Sequence, residues 1–188
     1  MIFIIFSFSL EATSTPLVLT NDKSFYELGL HLDILEDKTS KMAIHEVKKS
    51  KDFKKNKKKV TNFGFSKSAF WARFKINNKS DEKVWILSFN NYQQNDVSLY
   101  RFTSKGWQQQ LSGDNHDFST RGVKAKPITF VLTPGKDSLY FLKVKGVISQ
   151  INLDLSTPLH FVGVQTKEDY ILGIFFGLFS IVFGDFTV

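Results

Sequence analysis

The stretch SKSAFWARFKINN, Ser66 to Asn78, alternates in a way that sorts its residues by chemistry. In an extended chain Phe70, Ala72, Phe74 and Ile76 share one face, and Trp71, Arg73, Lys75 and Asn77 share the other. An indole stacks on a sugar ring, and a guanidinium presents a planar fork of donors to a carboxylate or a pair of hydroxyls. Trp71 and Arg73 are therefore candidate ligand contacts. A structural role fits them too, with Arg73 held under a loop by a carboxylate such as Asp96 or Asp114. A third reading leaves both on an ordinary solvated face. The second polar concentration is SGDNHDFSTR, Ser112 to Arg121, where Asp114, His116 and Arg121, with Asn115 and Asp117, could line a pocket mouth. Its Asp/Asn/Asp content invites a calcium reading, but the EF-hand spacing, with Gly at the sixth position and Glu at the twelfth, is absent.

Catalytic signatures are missing. His31, His45, His116 and His160 are scattered without a metal-binding spacing such as HExxH, and no GxSxG or phosphate-cradling glycine loop occurs. The chain has no cysteine, which removes disulfides and thiolate chemistry. A glycosidase needs two carboxylates facing one cleft, and no spacing marks such a pair. The residues read as a non-enzyme with no cofactor and no metal.

The formal charge of +7 is local. The segment KKSKDFKKNKKK, Lys48 to Lys59, holds eight lysines against one aspartate, so the rest of the chain is neutral. With only Arg73, Arg101 and Arg121 as arginines, there is no spread basic face of the kind that reads nucleic acid. A lysine run of this sort is expected to be a solvated loop, with an anionic membrane surface or polyanion as the other reading.

The elements that must position these residues are strands. Short apolar segments such as VWILSFN, DVSLYRF, ITFVL, SLYFLKV and INLDLS follow one another, separated by turn signals and by no long amphipathic helix; HFVGVQ, His160 to Gln165, is expected as the last strand. Eight or nine short strands at this spacing predict an all-β domain, an antiparallel sandwich or jelly roll. Phe70 and Phe74 belong to its core, and Tyr100, Trp107 and Tyr140 to core or rim packing. Both ends differ in character. Ile2 to Leu10 is a short apolar run followed by the small residues Ala12 to Ser14, which makes 1–14 a signal-peptide-like segment. Tyr170 to Val188 is apolar without a polar face, the length of a membrane span, with Asp185 expected to face other helices and not lipid. The expected organisation is a β domain over 17–165 and the start of a truncated transmembrane helix over 168–188.

In order, LDILEDKTSKMAIHEV, NFGFSKSAFWARFKINN, NDVSLYRF, the Gly113–Asp114 pair, FVLTPGKDSLYFLKV and the apolar YILGIFFGLF resemble a known family. The chain is similar to the second-type extracellular sensor domain of bacterial seven-transmembrane receptors with diverse intracellular signalling modules. The most specific piece is the aromatic-Trp-x-Arg-Phe strand ending in Asn. The Asp96…Tyr100 spacing and the Pro134–Gly135 hairpin that ends in Leu-Tyr at Tyr140 support it as structural positions. The resemblance implies a jelly roll like that of carbohydrate-binding modules, which takes a carbohydrate or other small ligand outside the cell. It also implies attachment to the bacterial cytoplasmic membrane through the C-terminal helix, with the β domain extracellular or periplasmic. The alternative is a ligand-free ectodomain that mediates receptor pairing, for instance as a homodimer; it predicts a flat outer face with an open edge or apolar patch.

Overall fold

The structure is a computed structural model that describes residues 15–90, 96–116, 125–146, 148–167, 169 and 171. The signal-like segment 1–14, and Tyr170 to Val188 apart from Ile171, lie outside the described residues. The strands are β1 (Leu17–Leu19), β2 (Phe25–Glu27), β3 (Asp33–Asp37), β4 (Lys54–Lys55), β5 (Thr61–Phe65), β6 (Ala69–Asn78), β7 (Trp85–Phe89), β8 (Asp96–Thr103), β9 (Gly106–Ser112), β10 (Ile128–Leu132), β11 (Ser138–Lys145), β12 (Ile148–Ile151) and β13 (Leu153–Ser156). A single-turn helix α1 (Ile44–Val47) sits between β3 and β4, and helix α2 runs over 158–167.

The ten-residue β6 is the spine. The larger sheet has the order β4-β3-β6-β11-β8-β9, and β1 runs parallel to the far end of β6, from Leu17 opposite Ile76 to Leu19 opposite Asn78. A second sheet has the order β10-β7-β13-β2, and β5 pairs with β12 in a separate ribbon with a register shift between Ser149 and Gln150. Apart from β1 with β6, the strand pairs among the described residues are antiparallel. The interior forms as the alternation of β6 dictates: Phe70, Ala72, Phe74 and Ile76 pack in one cluster with Trp85, Leu87 and Phe89 of β7, Phe130 of β10, and Leu153 and Leu155 of β13. Tyr140 is buried there, its ring stacked on Phe74 at 5.4 Å.

The other face of the large sheet is not solvated. Trp71 is fully buried and forms a second cluster with Leu35, Val47 and Phe141, flanked by Met42, Ile44, Phe53, Tyr100 and Trp107. The cover is the segment between β3 and β5, including α1 and the lysine run, which crosses the sheet as a strap. Its lysines are exposed while its backbone is pinned. Asn56 donates its side-chain amide to the carbonyls of Gly29 and Lys58 at 2.8 and 2.7 Å, and Thr61 donates to its carbonyl oxygen at 2.8 Å. Gly29 admits the strap's end: a Cβ there would stand 1.9 Å from the Lys59 carbonyl oxygen.

The expected strand at His160 to Gln165 is a correction, for this segment is helical. Pro158 brings a backbone angle suited to the first helical position, and the Thr157 hydroxyl accepts the His160 N–H at 3.3 Å as an N-terminal cap. These two residues outweigh the strand preference of the valines that follow.

Candidate functional site

Arg73 is placed by register. β3 and β6 are antiparallel with Asp33 directly opposite Arg73, so the two side chains rise from the same face of the sheet. Arg73 donates from Nε and Nη2 to Asp33 Oδ2 at 3.2 and 2.9 Å. The Asp33 side chain is 3% exposed and that of Arg73 18%. The Phe53 ring of the strap lies 4.3 Å from the guanidinium carbon. The carboxylate against Arg73 is thus Asp33, and neither Asp96 nor Asp114 fills that place. Trp71 cannot serve as a stacking platform in this arrangement, because the strap covers its ring.

The root of the strap is a polar knot. Buried Asp37 accepts the N–H and hydroxyl of Thr39 at 3.1 and 2.6 Å, and the Met42 N–H at 2.9 Å. Burial works against its charge, but these hydrogen bonds and the Lys143 ammonium prevail, and the carboxyl is held below its ordinary range. Lys143 donates to the carbonyls of Ser40 and Met42 at 3.3 and 3.4 Å, with its ammonium 5.1 Å from the Trp71 ring centre. Burial pulls the Lys143 pKa down. Asp37 and Asp96 oppose that shift, while Lys145 adds to it.

The open concavity lies elsewhere. A groove of about 810 Å³ is lined by Phe65, Ser66, Lys67, Asp96, Asn115 and Lys145. Strand ends build it: Lys145 closes β11 directly opposite Asp96, which opens β8, and Phe65 ends β5 opposite Ile148. Asp96 is oriented by its neighbours, accepting from Asn115 Nδ2 at 3.2 Å and lying 3.2 Å from His116 Nε2. Phe65 is 81% exposed, an aromatic ring left open to solvent at the rim.

The predicted site residues therefore separate. Asp96 and His116 meet at the groove; Asp114 is exposed just beyond β9; Trp71 and Arg73 lie under the strap; Arg121 is outside the described residues. Phe70 and Phe74 are core, and Tyr100 packs its ring 5.5 Å from Trp71. Pro134 and Gly135 lie just before the turn at Lys136 and Asp137 and are gripped by Asn78, which donates its side-chain amide to the Pro134 carbonyl at 3.3 Å and its backbone N–H to that of Gly135 at 3.2 Å. Sequence reasoning passed over Asp33, Asn78, Phe65, Lys67 and Lys145. An exposed-looking Phe next to a Ser-Lys turn is the signal that could have marked Phe65. Among the described residues no three His, Asp or Glu side chains converge as a metal site.

Fold and groove together define a mostly antiparallel β domain with an open concavity at its strand ends. The model of the family 7TMR-DISM extracellular 2 matches residues 29–157, and the chain belongs to that family, the extracellular sensor domains of membrane receptors. No curated protein matches the chain. Among the described residues no helix is long and apolar enough to cross a membrane.

Proposed function

We propose that the domain is the ligand-binding part of its receptor and that the ligand, a carbohydrate or similarly hydroxylated small molecule, seats in the groove between Phe65, Lys67, Asp96, Asn115 and Lys145. The observation that carries this reading is the groove itself, whose volume lies in the range of small-molecule sites. The Phe65 ring suits the apolar face of a sugar ring, and Asp96, Asn115 and the two lysines offer acceptors and donors to hydroxyls. In this reading the sandwich is a jelly roll of the carbohydrate-binding-module kind. It stands outside a bacterial cytoplasmic membrane, with α2 leading toward the span expected at 168–188, and passes occupancy inward without chemistry of its own.

Thermal-shift screening of the full chain against oligosaccharides and hydroxylated organic acids tests this. A ligand specific to the folded state stabilises by about 2.7 kcal/mol at a hundred times its Kd. The combined change Phe65→Ala, Lys145→Ala is expected to abolish the shift at unchanged ligand-free stability, since both side chains are exposed. Silence across a broad panel, or a shift indifferent to that double change, overturns the assignment.

The pairing reading has one observation in its favour. Helix α2 exposes Leu159 and Val162, 85% and 58% accessible, on the element that leaves the domain. Sedimentation of the full chain, with and without Leu159→Glu, distinguishes it: a dimer lost on that change supports pairing.

A further inference from the structure

A second cavity, of about 200 Å³, opens where the strap meets the large sheet; it is lined by Asp33, Lys48, Arg73, Lys75, Leu139 and Phe141. We propose that it binds a small carboxylate anion, the size of a short aliphatic mono- or dicarboxylic acid, with Arg73 as the principal contact. This site is separate from the groove and does not depend on the groove being a sugar site.

Charge comes first. Three cationic side chains face one carboxylate, so the cavity carries an uncompensated positive balance. Among the described residues neither Lys48 nor Lys75 has a carboxylate partner. Lys48 rests instead over aromatic rings, its ammonium 5.0 Å from the Phe102 ring centre and 5.7 Å from that of Trp107. Both lysines are exposed and free to turn toward a bound anion.

Geometry narrows the ligand. Of the five N–H donors of a guanidinium, Arg73 uses two, both on Asp33 Oδ2. The remaining three, two on Nη1 and one on Nη2, have no protein acceptor among the described residues, and Arg73 borders the cavity. The end-on edge of the fork is thus unspent, and that edge matches a carboxylate bidentately. The guanidinium is already fixed by Asp33 on one side and by the Phe53 ring on its face, so little ordering remains to be done on binding. Leu139 and Phe141 supply an apolar wall, which suits a hydrocarbon stem and leaves a fully hydrated inorganic oxyanion poorly matched. The volume falls below that of drug-sized pockets, which limits the stem to a few carbons. Because Lys48 belongs to the strap while Arg73 and Lys75 belong to β6, an anion here ties the strap to the sheet.

The test is thermal shift and calorimetric titration of the full chain with succinate, against sodium chloride, sulfate and phosphate at matched ionic strength. The expected result is a melting temperature that rises with succinate beyond the chloride control. Lys48→Gln with Lys75→Gln, both at exposed positions, should leave the chain folded with only the small loss of the Lys48 ring contacts and weaken succinate binding at least tenfold. Arg73→Lys, which keeps the charge and loses the fork, should abolish it. Lys145→Ala, in the groove, should leave it unchanged. The proposal is overturned if succinate acts no differently from chloride, if sulfate or phosphate outperforms it, if the double lysine change responds as the parent does, or if Lys145→Ala removes the response.

Discussion

Replacing Asp33 by alanine tests whether the contact under the strap holds the fold. Asp33 is buried, and its Oδ2 accepts both Arg73 bonds. Without it the guanidinium stays pressed against Phe53 with its charge uncompensated. Removing one partner of a buried pair costs about 3–5 kcal/mol. The Arg73 side chain is 18% exposed and can draw some water, so the lower end applies, about 3 kcal/mol. For a domain of this size each kcal/mol lowers Tm by about 2–4 °C, giving a drop of about 6–12 °C. The decisive form is a double-mutant cycle by urea denaturation: Asp33→Ala, Arg73→Ala and the pair together. If the two act as one clamp, the double variant costs little more than either single change. Additivity within about 0.5 kcal/mol would mean two independent residues and would refute the clamp.

Trp71→Ala should destabilise by about 3–5 kcal/mol in the same assay, since it empties the second core. Trp71→Phe should cost distinctly less, because the buried Trp71 Nε1 has no acceptor among the described residues and its loss removes an unmet donor. Acid titration of stability should separate two carboxylates. The Asp37 carboxyl is depressed in the fold, so its contribution is present above about 3.8 and lost as pH falls toward its folded value; Asp37→Asn should cost most near neutrality and converge with the parent in acid. Asp154 is the opposite case, its carboxyl raised by burial, with Glu27 adding to the rise and the Asn90 amide opposing it; its share of stability grows as pH falls through the raised value, and Asp154→Asn should flatten that gain. Lys145→Gln removes a like charge two residues from Lys143 and should move the Lys143 pKa back up toward its ordinary value, read by NMR of the ammonium; an unchanged or lower value would contradict the electrostatic account of the strap root.

How legible these features are in the chain depends on whether the period-two rule has a single meaning. On β6 it does: four alternate apolar residues point inward and meet the second sheet. On β3 it misleads. Asp33, Leu35 and Asp37 share the outward face and read as a mostly polar, solvated row, yet all three are buried. The row is polar because it has polar work to do, holding Arg73 and tying the start of the strap. Nothing local shows this, since the Arg73 partner lies forty residues earlier and is chosen by strand register. The lysine run hides its purpose in the same way. Its charges dominate any window average, while the residues that dock it are its single Phe and single Asn, Phe53 against Arg73 and Asn56 against Gly29. A basic run broken by one aromatic is better read as a strap with an anchor than as a free loop, because a segment with nothing to bury has no use for the ring. The groove lay deeper still. Its members come from the ends of β5, β8 and β11 and from the turn after β9, and no spacing rule brings Phe65, Asp96, Asn115 and Lys145 together before the sheet has formed.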